Sequence, residues 1–206
     1  QRQMCIRDSG KSESILSLCE ARGLPGRMLQ WHYRSRDPSL MRVSNAEFYD
    51  DGLVLPPSPL EKDPAYGLIF TRVDGAYDRG GQRNNRLEGE ALVARVAEHA
   101  RVTPDLSLGI VTFSHAQKNT INELLEIARR GDSALDSLLR EGKAEAVFVK
   151  NIENVQGDES DVILISVGYG PTQPGGVMSG ASFGPVNGEG GERRLNVLFT
   201  LSLIHI

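Results

Sequence analysis

Apolar residues along this chain fall into two kinds of run. At 147–149 and 162–167, Val, Ile and Leu stand together without polar alternation, the pattern of strands covered on both faces, and 106–113 has the same character. Shorter apolar stretches at 28–33 and 67–73 predict two further strands. Between them lie helical periods. One spans 12–21, with Ile15, Leu16, Leu18 and Cys19 near one face, and another follows Pro38 with Leu40, Val43 and Phe48. A third starts at Asn84 or Asn85 and runs to about Arg101. A fourth covers 116–130 with Ile121, Leu124, Leu125 and Ile127 inward, and 132–142 is a short helical insertion. Strands and helices alternate as about five βα units, which predicts a mostly parallel sheet with helices on both faces.

The polar segments between these elements differ in kind. Gly23-Leu24-Pro25-Gly26 stops the first helix. In Arg34-Ser35-Arg36-Asp37-Pro38, Asp37 or Ser35 is placed to cap a helix that has Pro38 in its first turn. Residues 56–65 form a surface connector, 74–84 a turn-rich mobile segment, and 171–191 a stretch rich in Gly, Pro and Ser that is too polar to pack. The turn at 153–159 joins two buried strands, which is where an α/β protein places a site. Within it Gly157 has access to backbone conformations closed to other residues. Gln156, Asp158 and Glu159 offer amide and carboxylate groups suited to sugar hydroxyls or to positioning a water. On these residues alone an ordinary surface loop remains the alternative.

Composition narrows the class. The 206 residues are 39% hydrophobic, enough for one domain with a real core. No apolar run reaches the length of a membrane span and the lead-in residues do not make a secretory signal, so a cytoplasmic protein without membrane contact is expected. The formal charge is −4, so nucleic acid cannot be held by bulk electrostatics and requires a local groove. Cys19 reads as a small buried hydrophobe. No metal-ligand spacing occurs. Gly10-Lys11-Ser12 mimics the tail of a phosphate-binding loop, but Cys5 stands where that loop needs glycine.

Three segments carry a resemblance. Residues 154–166, NVQGDESDVILIS, resemble motif V of the superfamily 1 helicases, in the branch of the nonsense-mediated-decay and Okazaki-flap helicases. Residues 29–53, LQWHYRSRDPSLMRVSNAEFYDDGL, are similar to that branch's motif IV region. Residues 192–200, ERRLNVLFT, are similar to the opening of motif VI. All three follow the family order across nearly the whole chain. The implied fold is the second RecA-like domain of a two-domain motor, of the type shared with P-loop NTPases. The implied function is that of an ATP-dependent helicase or translocase.

The resemblance assigns roles by position. Arg34 reaches the terminal phosphate of ATP on the neighbouring motor domain, and Tyr33 lies against the adenine. His32 stands where the family often has glutamine. Glu159 accepts the ribose hydroxyl, Gln156 and Gly157 couple nucleotide to strand, and Asn154 approaches a backbone phosphate. The segment 112–117, TFSHAQ, resembles the family's T-P-Y-x-x-Q, so Thr112, Ser114 and Gln117 are expected near single-stranded DNA or RNA. His115 has no evident catalytic partner in the sequence and reads as a loop residue. Arg193 and Arg194 hold supporting positions beside the phosphates. The family's second arginine finger falls where this chain has Leu201. The implied cofactor is ATP with Mg²⁺, bound mainly by a first motor domain that precedes this one in the parent chain; alone, this domain is expected to be inactive.

Residues 1–9 and 201–206 resemble opposed copies of an adapter DNA end read as protein, so the domain is expected to span 10–200, truncated at both ends, with a charge of about −5 once Arg2, Arg7 and Asp8 are set aside. Two alternatives accompany the motor. One is a RecA-like domain kept only for binding or interaction. The other is the motor part of a bacterial restriction or defence protein with an appended nuclease-like domain.

Overall fold

The computed structural model describes residues 15–32, 37–59, 66–140, 147–178, 182–188 and 190–205. The chain divides into two compact units, residues 1–31 and 32–206. In the first, helix α1 (Ile15–Ala21) ends at Gly23, whose φ of +71° lets the amide of Leu24 turn back onto the Cys19 carbonyl. Cys19 is a free, half-buried thiol, and Ile15 and Leu16 are exposed. The strand expected over 28–33 does not form in its described part. Residues 28–30 are irregular and Trp31 makes an isolated bridge.

The second unit is built on a parallel sheet. It comprises α2 (Ser39–Phe48), α3 (Arg86–Val102), β1 (Leu108–Thr112), α4 (His115–Ala128), α5 (Ser133–Leu139), β2 (Phe148–Asn151), β3 (Ser160–Ser166), α6 (Gly191–Phe199) and β4 (Ser202–His205). The strand order is β2-β1-β3-β4, with every pairing parallel. The terminal residues set aside on sequence grounds thus supply the edge strand β4. Residues 67–73, expected as a strand, join no ladder apart from a bridge at Gly67, and Phe70 is 89% exposed. Four strands among the described residues therefore replace the five expected units.

All five residues of β1 are buried, because helices cover both faces. Leu108 and Ile110 point into a core with Leu92, Val96, Ile121, Leu125 and Leu135 from α3, α4 and α5. Val111 points the other way, into a core with Ile152, Val155, Ile163 and Leu198. Gly109 allows the sheet to close here, since a Cβ would overlap the Phe148 ring and Ile163. Gly109→Ala is expected to lower stability by about 1–3 kcal/mol through overpacking, read as a lower denaturant midpoint at unchanged slope.

Helix starts follow the capping residues. Asn85 accepts from the Glu88 amide at 3.2 Å, and Ser114 accepts from the Gln117 amide at 3.1 Å. Asp132 accepts from the amides of Leu135 and Ala134. The Leu135 amide, with help from Arg101, holds its carboxyl below the usual range. Asp37, 3% exposed, accepts from the Ser39 amide at 2.8 Å and fixes the entry to α2.

Two loops behave differently from their composition. Residues 74–84 are organised rather than loose. Asp78 accepts from the amides of Gly81 and Gln82 at 2.9 and 2.8 Å, and Tyr77 N donates to Pro171 O at 2.8 Å. Asn84 donates to Thr120 at 2.6 Å. Within the polar stretch 171–191, Phe183 and Val186 pack onto the second core beside a short 3-10 helix, Gly184–Asn187. A few aromatic and branched residues suffice to dock it.

Candidate functional site

The register of the sheet divides the expected site residues between its two edges. Thr112 ends β1 opposite Asn151, which ends β2, so both lie at the carboxyl edge. Ser160 precedes Val162, the partner of Leu108 at the start of β1, so Glu159 lies at the amino edge. Residues 152–159 therefore run from one edge to the other across the second face of the sheet. Ile152 and Val155 are buried beneath them, and Lys150 Nζ holds both oxygens of Asp158 at 2.8 Å. The loop is a strap across the sheet rather than a crown on its carboxyl end. Asn154 sits exposed near its carboxyl-edge start, and Gln156, Gly157 and Glu159 are exposed along its descent. Gly157 has φ +92° and open space where a Cβ would stand, so its need for glycine is conformational and not steric.

At the carboxyl edge a polar chain joins three segments. Asn151 Nδ2 lies 2.8 Å from His115 Nε2 and donates to Glu153 at 3.3 Å. Glu153 lies 3.9 Å from Arg194 of α6, whose guanidinium also donates to Pro185 O at 2.9 Å. Arg194 is thus held at the carboxyl edge, while Arg193, one step round the helix, is exposed. Asn196 of the same helix donates to the Tyr49 hydroxyl at 3.1 Å, tying the motif VI segment to the end of α2.

Two of the expected nucleic-acid contacts are buried side chains. Gln117 is fully buried. Its Oε1 accepts from Asn85 N at 2.8 Å, and its Nε2 donates to Asn85 O and Ser166 Oγ, each at 3.0 Å. Thr112 is fully buried and donates to Ser114 O at 3.0 Å. Both side chains are engaged within the protein. Ser114, half-buried at the start of α4, remains within reach of one. Tyr33 and Arg34 lie outside the described residues.

Glu88 does more than the capping expected of it. It accepts from Ser166 Oγ at 2.7 Å and from Gly168 N at 2.9 Å, locking the carboxyl end of β3 to the start of α3. Its signal in the sequence is its position three residues after Asn85, which a capping box explains equally well. Also unforeseen is a groove of about 600 Å³ at the carboxyl edge, lined by Tyr77, Arg79, Arg83, Ser114, Tyr169 and Gly184 among others. Burial, with Tyr77 alongside, holds the Tyr169 hydroxyl above its ordinary pKa, so it stays protonated and able to donate.

Glu159 is an exposed carboxylate at the amino edge, whereas Arg193 is an exposed guanidinium next to Arg194, whose contacts lie at the carboxyl edge. They do not make a whole site. Among the described residues no three His, Cys, Asp or Glu side chains converge to hold a metal ion. No described helix is long and apolar enough to cross a membrane.

A family model described as an AAA domain matches residues 12–201. An uncharacterized ATP-dependent helicase of Mycoplasma genitalium, MG140, is 34% identical over 197 residues, which is 92% of this chain and 16% of that protein. Its homolog in Mycoplasma pneumoniae is 32% identical over 196 residues, again 92% and 16%. The chain thus spans about a sixth of the length of these curated relatives.

Proposed function

Because the chain belongs to the AAA domain family that matches it from residue 12 to residue 201, and aligns along nearly its whole length with ATP-dependent helicases, we propose that it is the second RecA-like motor domain of an ATP-dependent helicase or translocase acting on single-stranded DNA or RNA. ATP with Mg²⁺, bound mainly by the first motor domain, supplies the free energy of phosphoryl transfer to water. From this chain, Arg34 forks onto the terminal phosphate oxygens and stabilises the charge that develops there, and Tyr33 packs on the adenine. Glu159 accepts from the ribose, and Gln156 and Gly157 border it. Asn154 and Ser114 touch the strand's phosphates. Thr112 and Gln117 act by holding Ser114 and α4 in position.

The observation that carries the reading is the strap at 152–159. It spans the sheet between the edge that would meet the strand and the edge that would meet the nucleotide. Its buried Ile152 and Val155 and the Lys150–Asp158 pair keep it stiff. A displacement at Gln156 is then felt at Asn154, two residues away, which is what coupling hydrolysis to stepping requires. The test is ATP hydrolysis by the uninterrupted parent protein, with and without single-stranded DNA or RNA. At least tenfold stimulation by one polymer is expected, with no hydrolysis by the 206-residue chain alone. Hydrolysis indifferent to both polymers would overturn the proposal.

A further inference from the structure

An acidic domain that grips nucleic acid needs one local positive groove, and the carboxyl edge of the sheet holds a candidate built, apart from Ser114, of residues the motor reading leaves unused. Tyr169 follows β3 directly. Its ring is packed by Tyr77 at 5.2 Å and by Phe183 edge-on at 6.3 Å. Its hydroxyl lies where a side chain at residue 184 would go, and Gly184 accordingly has φ +57°. Glu88 fixes the preceding Gly168. The aromatic pair is thus held rigid before any ligand arrives.

Arg79 and Arg83 project from the turn that Asp78 closes. Asp78 is occupied with the amides of Gly81 and Gln82, and among the described residues no carboxylate pairs with either guanidinium. Arg83 has φ +55°, a left-handed conformation that a non-glycine residue holds only when its surroundings impose it; here the backbone bonds between Asp78 and residues 83 and 84 do so. Across the groove, Ser114 and the first turn of α4 complete the lining. Unpaired guanidinium groups beside preformed aromatic rings, in a groove of about 600 Å³, match the chemistry of a phosphate joined to a base.

We propose that this groove is a stacking and phosphate subsite for one or two nucleotides of the single strand, with Tyr77 and Tyr169 as the base platform and Arg79 and Arg83 as the phosphate clamp. The proposal rests on the motor reading and adds residues to its strand contacts. A free nucleotide has the same chemistry, so the test separates the two sources.

The 206-residue chain is titrated with a fluorescein-labelled thymidine 12-mer, an abasic 12-mer and thymidine monophosphate, at several salt concentrations, by fluorescence anisotropy. Arg79→Gln with Arg83→Gly is expected to lower the slope of log affinity against log salt by about 1.4, near 0.7 for each phosphate contact on a single strand. Tyr77→Leu is expected to weaken the 12-mer about tenfold and leave the abasic strand unaffected. Arg83→Gly alone relieves the left-handed strain, so its thermal midpoint should not fall, which separates lost binding from lost folding. Variants that bind like the unaltered chain, or no binding by the unaltered chain, would overturn the proposal. So would competition by the monophosphate at the concentration of nucleotide units in the oligomer, which would assign the groove to a free nucleotide. Binding that ignores the groove variants leaves the motor reading intact, whereas that reading fails separately if the parent's ATP hydrolysis ignores nucleic acid.

Discussion

Arg34→Ala in the uninterrupted parent protein is expected to lower nucleic-acid-stimulated ATP hydrolysis about a thousandfold, with strand affinity in the absence of nucleotide unchanged. An arginine supplied across a domain interface to a transferring phosphoryl group contributes on the order of 10³ to 10⁵ in rate, because its charge meets negative charge that grows in the transition state. Arg34 stands three residues before Asp37, which is buried and bonded to the first turn of α2. The chain from Asp37 onward is therefore anchored. Arg34→Lys keeps the charge and loses the planar fork, so it should recover only part of the rate. The loss should fall on kcat more than on KM, since the interaction strengthens as the reaction proceeds. An Arg34→Ala parent enzyme that hydrolyses ATP as fast as the unaltered one would remove this residue from the phosphate and with it the strongest functional element of the assignment.

The second large effect is on stability. Gln117→Leu is expected to cost about 2–4 kcal/mol, because the amide it removes bonds Asn85 N, Asn85 O and Ser166 Oγ in a region sealed from water. Leucine is close in volume, so the loss comes from the partners left unsatisfied rather than from a cavity. Asn85 is 3% exposed and has no water to turn to. The change also loosens the junction of α3, α4 and the end of β3, where Glu88 meets Gly168. Chemical denaturation of the 206-residue chain measures it directly. A shift below about 0.5 kcal/mol would show that the network relaxes and that Gln117 is free for another role.

Gln117 also marks where local pattern stops. TFSHAQ reads correctly as strand end and helix start, since the apolar run before it and the apolar period after it are local signals. Which way Gln117 faces is not local. It depends on Asn85 and Ser166, 32 and 49 residues away, converging on the same point. The strands expected at 28–33 and 67–73 fail for a related reason. Apolar composition supplies the propensity, but a strand exists only where a neighbour offers its edge. Residues 67–73 have only the single bridge at Gly67 among the described residues.

The sequence by itself determined the fold class, the helicase family and the helices of the core, with the cap of α3 at Asn84 or Asn85. Unalternated apolar runs, 3.6-residue periods and capping side chains act over a few residues each, and motif order survives without coordinates. Only the tertiary structure decided that residues 152–159 cross the sheet from edge to edge, that Glu88 and Gln117 knit three elements together, and that Tyr77, Arg79, Arg83 and Tyr169 share one groove. Those outcomes follow from parallel register, which places the end of one strand and the start of the next at opposite edges. They follow also from burial, which forces distant polar groups to satisfy one another.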